Sequence, residues 1–402
     1  MQEPTSVQAD VKEIEARARG WGEAHDEDHY QERKPDAHRG DVELRLRKRE
    51  SGIARYSQKS YEERPIVSLD YVTFLGVNEG NLTKFLGVPF STPTYINDFC
   101  SILSDIYYRA RFELPHAPSP LRGLQNATVF GPACVQQALS NTLPFTFPSP
   151  TVTSEACLNL DVFSPAAHDP NSKFPVLVFL FGGGFEAGSS SATDFRPAVG
   201  RSILIGEPVV IVAPNYRVSA FGFLASKEVA AAGLTNLGLR DQIAALEWVQ
   251  KYISAFGGDP NCVVLQDRSG SELFRGSFMV SGSPFPSPPV ADGQSIYDQL
   301  VAANNCTNAG DTLDCLRQVP LGDFLATVNQ TPDLFSYRAI ALVWRPRVDR
   351  GLILRNPVDM VHDGAFMRVP IMIGNCDDEG TLFAYTSLNV THVLHRLPQD
   401  LS

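Results

Sequence analysis

The chain has 402 residues, a formal net charge of −11 and a hydrophobic fraction of 43%. These values describe a globular protein with a substantial core and exclude general nucleic-acid binding, which needs a basic surface. No run approaches the roughly 18 consecutive apolar residues of a membrane span.

Residues 1–64 read as a polar tail. They hold 28 charged side chains (15 acidic, 13 basic) against 51 in the remaining 338 residues. Aliphatics are sparse and no hydrophobic stripe persists, so a disordered or marginally helical segment is expected. The run Arg45-Leu46-Arg47-Lys48-Arg49 offers a nuclear address or an anion-binding patch; a solvated run in a mixed-charge tail is the plainer reading. The first residues lack the apolar core of a secretory leader. That leaves a cytosolic chain, or one whose true beginning lies elsewhere.

From Pro65 to Ser402 the texture is α/β. Val176–Phe181, Val209–Ala213 and Ile371–Gly374 are near-continuous apolar runs, as expected of strands buried on both faces of a largely parallel sheet. Leu239, Ile243, Leu246, Ile253 and Phe256 recur at helical spacing before Gly257-Gly258, and Val263-Val264-Leu265 reads as the next strand. Strand, helix and strand in that order predict a βαβ unit with a right-handed crossover.

Seven cysteines include Cys134 and Cys157 in one loop and Cys306 and Cys315 in another. Five N-x-[ST] sequons stand at Asn81, Asn126, Asn305, Asn329 and Asn389, and serve as acceptors only in a secreted chain. Together they favour a secretory ancestry.

The first block with chemical content is Phe181-Gly182-Gly183-Gly184-Phe185, at the end of a predicted strand. Three glycines allow a sharp turn that aims consecutive N–H groups at one point, as an oxyanion hole requires; a plain glycine-rich turn is equally compatible. A phosphate cradle is disfavoured, because no Lys-Ser/Thr or G-x-G-x-x-G spacing follows. Further blocks are Ser154–Val162, Asn215-Tyr216-Arg217, Asn236–Gln242, Phe256–Pro260, Ser281-Gly282-Ser283-Pro284 and Asp377-Asp378-Glu379-Gly380-Thr381.

In this order the blocks resemble the type-B carboxylesterase family, and within it the fungal lipases of the Candida rugosa and Geotrichum kind. The likeness runs from about Leu69 to Thr391. It implies an α/β-hydrolase fold, secretion and a Ser–Glu–His mechanism on a small-molecule or lipid ester, with no metal or cofactor. It maps the oxyanion hole to Gly183 and Gly184 and the triad acid to Glu379, and implies disulfides Cys134–Cys157 and Cys306–Cys315.

Three departures set further expectations. The nucleophile elbow G-x-S-x-G is replaced by Asp267-Arg268-Ser269-Gly270-Ser271, so the glycines that relieve the strained turn are absent around Ser269. The family's helix after the elbow has no counterpart before Leu273, and its later segment carrying the histidine has none before Ser402. Residues 94–110 form an unusual insertion, either a surface loop or a translated intron. His392 and His395 read as a surface helix end, with a surrogate base as the alternative. The expectation is an incomplete α/β-hydrolase fold with an inactive site, from a faulty or decayed gene. The alternative is a non-catalytic interaction protein of the cholinesterase-like kind.

Overall fold

The computed structural model describes residues 64–92, 111–139, 150, 152–166, 171–265, 273–336 and 342–381. The predicted tail to residue 63, the whole 94–110 insertion and Ser269, His392 and His395 therefore lie outside the described residues.

Eight strands form the central sheet. In chain order they are β3 (Val77–Glu79), β4 (Leu82–Pro89), β8 (Asn159–Pro165), β9 (Phe174–Val178), β10 (Val210–Pro214), β11 (Gly258–Leu265), β12 (Gly276–Val280) and β13 (Ile371–Gly374). Their spatial order is β13-β12-β11-β9-β10-β8-β4-β3. From β13 to β10 every pair is parallel, and from β10 to β3 every pair is antiparallel. The sheet is thus more mixed than the apolar runs predict. Two small sheets flank it: β1 (Ile66–Ser68), β2 (Thr73–Leu75) and β5 (Leu124–Asn126), and the pair β6 (Ala133–Cys134) and β7 (Thr153–Ser154).

The central strands bury both faces by simple alternation. Val176 and Val178 of β9, with Val210 and Val212 of β10, point into one cluster; Leu177 and Ile211 point into another. The first face is covered by the longest helix, α4 (Leu237–Tyr252), whose Leu246, Trp248 and Val249 continue into a 3-10 turn carrying Ile253 and Phe256. Gly257 ends it at φ +84, the left-handed conformation that glycine enters without a Cβ penalty. The second face receives Val199 of α1 (Arg196–Leu204). Strand β10, helix α4 and strand β11 form the predicted β-α-β path, with β9 lying between the two strands.

A third cluster gathers shorter helices beyond the carboxyl ends of the strands. These are α2 (Ser219–Phe223), α3 (Lys227–Ala231), α5 (Gln294–Ala303), α6 (Thr312–Gln318) and α7 (Leu321–Val328) around Tyr216 and Phe181. A buried ion pair fastens helix α4 to the chain after β10: Arg217 Nε and Nη2 donate to the two Asp241 oxygens at 2.8 and 2.6 Å. Both implied disulfides are present, Cys134–Cys157 with Cα atoms 4.9 Å apart and Cys306–Cys315 with 5.8 Å.

Two expectations need correction. The run Val176–Phe181 leaves the sheet early: β9 ends at Val178, Phe179 N makes one last bond to Val212 O, and the next residues turn toward the glycines. Ile371–Ile373 does form a strand, but an exposed one. Among the described residues it occupies the end of the sheet, with a neighbour on one side only and neither face covered.

Candidate active site

Parallel strands β9 to β13 bring all their carboxyl ends to one edge of the sheet, the side on which α/β proteins place their sites. The glycine loop follows β9, Ser281 follows β12 and Glu379 follows β13. Between them ends β11, whose Leu265 precedes the undescribed stretch that contains Ser269.

The glycine loop is a fixed turn. Gly183 and Gly184 have φ of +129 and +62, and the next residue, Phe185, is also left-handed at +64. A Cβ on Gly183 would stand 2.0 Å from the Ala187 carbonyl oxygen, which closes that position to a side chain; one on Gly184 would be strained by the positive φ and would displace Leu334 Cδ1, 2.6 Å away. The turn closes through the N–H groups of Glu186 and Ala187, which donate to Gly183 O at 3.0 and 3.2 Å. Tyr216 Oη donates to Phe181 O at 2.7 Å, with the two rings stacked at 4.2 Å. Gly188 and Gln136 exchange two hydrogen bonds, and Ser219 N donates to Phe185 O at 2.7 Å. Among the described residues, neither the Gly183 nor the Gly184 N–H has a hydrogen-bond partner. The loop is pinned by its carbonyls and neighbours while two consecutive donors stay free, which is what anchoring a developing oxyanion requires.

Glu379 lies in the exposed turn after β13. Its Oε1 accepts from Cys376 N at 2.7 Å and, in a short hydrogen bond, from Ser281 Oγ. The Ser281 hydroxyl, then the Cys376 amide, hold the carboxyl below its ordinary pKa, so Glu379 is a carboxylate at neutral pH. Ser281 is itself left-handed, φ +55, at the position directly after β12. Sequence reasoning singled out the Ser281-Gly282-Ser283-Pro284 block without giving Ser281 a role. The strand before it, Gly276–Val280, was not among the predicted elements, so no signal marked a hydroxyl at a strand end. No histidine bonds Glu379 among the described residues.

A second carboxyl belongs to this region and was missed. Glu186, directly after the glycine loop, is fully buried, and neither oxygen makes a hydrogen bond of ordinary geometry. Burial pushes its pKa up to about 8; backbone amides of Leu334 and Trp344 oppose the shift, and the nearby Asp333 carboxylate adds to it. The folded chain therefore keeps a proton that the unfolded chain releases near the ordinary value of 4.5. The folded state binds more protons in that window, so stability is highest below it and falls as pH rises toward 8. Buried Asp161, raised by burial to about 6, acts in the same sense over the lower part of the window. Glu186→Gln is neutral at every pH. It is expected to leave the denaturation midpoint nearly flat between about pH 6 and 8, where the parent's midpoint falls. Parallel slopes for parent and variant in urea titrations would contradict this assignment.

Residues 63–402 match the sequence profile described as the Carboxylesterase family. Lipase 5 of Diutina rugosa is 36% identical over 360 residues, covering 79% of this chain and 62% of the relative. Secreted lipase 1 of Botryotinia fuckeliana is 35% identical, covering 79% of this chain and 60% of its own length. Among solved structures, Aspergillus niger EstA superposes with a TM-score of 0.66 at 28% identity, covering 78% of this chain and 60% of that one. A PNB esterase gives 0.62 at 29%, covering 80% and 65%. The chain thus spans about three-fifths of the length of these curated relatives.

Proposed function

Because this chain belongs to the carboxylesterase family and has its α/β-hydrolase fold, we propose that the cleft at the carboxyl edge is the site of a serine carboxylic-ester hydrolase, carried here without a working nucleophile. The observation that carries this reading is the pair of free N–H groups on Gly183 and Gly184, on the sheet edge where Glu379 is held ionised. In such a site a serine attacks the acyl carbon of a small-molecule or lipid ester. A histidine takes its proton and passes it to the departing alcohol, while the acid orients the imidazole. The amides of Gly183 and Gly184 would hold the tetrahedral oxyanion. Ser281 is a positioning residue that fixes the carboxylate.

Ser269 is the serine nearest the elbow position, but Asp267 and Ser271 stand where a nucleophile elbow needs glycine. The parallel neighbours β11 and β12 are joined only by Gln266–Arg275. A crossover between parallel strands usually takes about a dozen residues or more, most often including a helix. The short connection supports the reading that no helix N-terminus polarises a serine and its oxyanion here. Exposed sequons at Asn81, Asn126, Asn305 and Asn329, together with two disulfides, support passage through the secretory pathway. A fluorophosphonate probe tests the reading: no covalent adduct is expected, and stoichiometric labelling of Ser269 would replace it with an improvised active enzyme.

A further inference from the structure

The exposed sequons stand in unlike surroundings. Asn81 sits in the turn between β3 and β4, a hairpin whose strands carry the Glu79–Lys84 ion pair. Asn305 lies just past helix α5, next to the Cys306–Cys315 bridge. Asn329 has its Oδ1 held by Ala138 N at 2.9 Å, and the Thr331 of its sequon is buried, its hydroxyl donating to Val328 O. Asn126 differs from all three, because it shares a sheet face with exposed apolar side chains.

The small sheet of β1, β2 and β5 has two unlike faces. Register aligns Ile66, Leu75 and Asn126 in one row across the three strands, and Ser68, Thr73 and Leu124 in another. Successive residues of a strand point to opposite faces, so the row between them points the other way. That middle row sends Val67 and Phe74 inward, against the cluster that α4 covers. The two outer rows therefore face solvent together, and the Ser68 and Thr73 hydroxyls meet there at 3.1 Å. Ile66 and Leu124 are both more than half exposed. Among the described residues β5 also ends this sheet, so the apolar face runs out to an open edge. Soluble domains cover or blunt such surfaces. Here the means of covering stands in the same row as Ile66 and Leu75.

We propose that Asn126, in a chain passing through the secretory pathway, carries an N-linked oligosaccharide that lies across this face. The sugar comes from a lipid-pyrophosphate-linked oligosaccharide. Its C1–O bond to the pyrophosphate breaks, a bond from C1 to Asn126 Nδ2 forms, and the amide gives up one proton as the lipid pyrophosphate departs. The acceptor pattern is Asn126-Ala127-Thr128. Among the described residues no hydrogen bond occupies the Asn126 amide or the Thr128 hydroxyl, so the sugar displaces no contact of the fold. Neighbouring strands lie about 4.8 Å apart, which puts Leu75 one strand and Ile66 two strands from Asn126, within reach of the first two sugars. The C–H faces of those rings meet the aliphatic side chains while their hydroxyls keep the surface wet.

The test is secretion of the full chain from yeast behind an added leader peptide, followed by an endoglycosidase that leaves one sugar on each occupied asparagine. Peptide mass spectra are expected to find that sugar on Asn126 in most chains. Hydroxyl-radical footprinting of the untrimmed protein is expected to find Ile66, Leu75 and Leu124 protected. Asn126→Gln and Thr128→Ala should each abolish the sugar and most of that protection, and Thr128→Ser should keep both. An unoccupied Asn126 overturns the proposal, and so does an occupied one whose three apolar neighbours are labelled as fast as in Asn126→Gln. Protection that survives Asn126→Gln and grows with protein concentration overturns it as well, by assigning the face to a second copy of the chain. The inference rests on the secretory reading, and the added leader separates the two. An unoccupied Asn126 in secreted chain sinks the inference alone, whereas retention of the chain in the cytosol of its own host sinks the secretory reading alone.

Discussion

Purified full-length chain is expected to hydrolyse p-nitrophenyl butyrate no faster than a site with its triad disabled. Disabling a serine triad lowers kcat by roughly a millionfold, while oxyanion donors and binding alone leave about 10³–10⁴ over water. A millionfold corresponds to about 8 kcal/mol of transition-state stabilisation, far more than oxyanion donors can restore, since one such donor is worth about 2.7–4 kcal/mol. Gly183 and Gly184 keep their donors in place, so any residual rate should depend on them and not on Ser269. Ser269→Ala is therefore expected to be silent, whereas a Gly184 side chain, forced against Leu334 at 2.6 Å, should lower even the residual rate. Turnover within tenfold of an intact relative, abolished by Ser269→Ala, would show that the missing elbow glycines have been bypassed.

The parts of the fold that could be read in advance are those where a period survives. Strands β10 and β11 and helix α4 announce themselves because their apolar residues recur at the spacing of the surface they bury. The glycine loop was legible for a related reason: three consecutive glycines make little sense except where the backbone must enter conformations closed to other residues, and here it does. Strand β8 was not legible as a strand from its pattern. It is entirely buried yet reads Asn159-Leu160-Asp161-Val162, because Asn159 donates to Pro132 O and Asp161 accepts from Gly87 N. Partners that lie far away in sequence decide whether a polar residue can be buried, and periodicity carries no record of them. Glu186 and Ser281 share that invisibility. One is set by desolvation and the other by a left-handed strand end, and neither leaves a pattern among its neighbours. Burial of β13 was expected from composition alone, which distinguishes a strand from a helix but not a covered strand from a bare one.

The bare strand leads to the second large effect, self-association of the chain through β13. Phe278, Val280 and Met372 lie on one face of the β12–β13 pair by register, and are 37%, 53% and 65% exposed. Ile371 and Ile373 on the other face are 51% and 54% exposed. Among the described residues nothing pairs with the outer side of β13, which ends their sheet order and leaves a row of backbone N–H and C=O groups for a partner strand. Natural edges are blunted by lysine, proline or a bulge, and Ile-Met-Ile-Gly has none of these. Burying one such side chain is worth about 1.5–3 kcal/mol, and a few hundred Å2 of apolar surface at about 25 cal/mol per Å2 is worth several. That rivals a domain stability of about 5–15 kcal/mol, so pairing with a second copy or with unfolded chain competes with the monomer. Purified protein should therefore scatter light in a concentration-dependent way and enhance the fluorescence of a hydrophobic dye. Met372→Lys with Ile373→Lys places one charge on each face of the edge, and is expected to return the chain to a monomer in sedimentation and to remove most of the dye signal. A parent chain that sediments as a monomer, leaves the dye dark and melts in one cooperative step above about 55 °C, as an ordinary mesophile domain can, would mean that the exposed strand is tolerated. The two buried faces of β9 and β10 would then suffice to hold the domain.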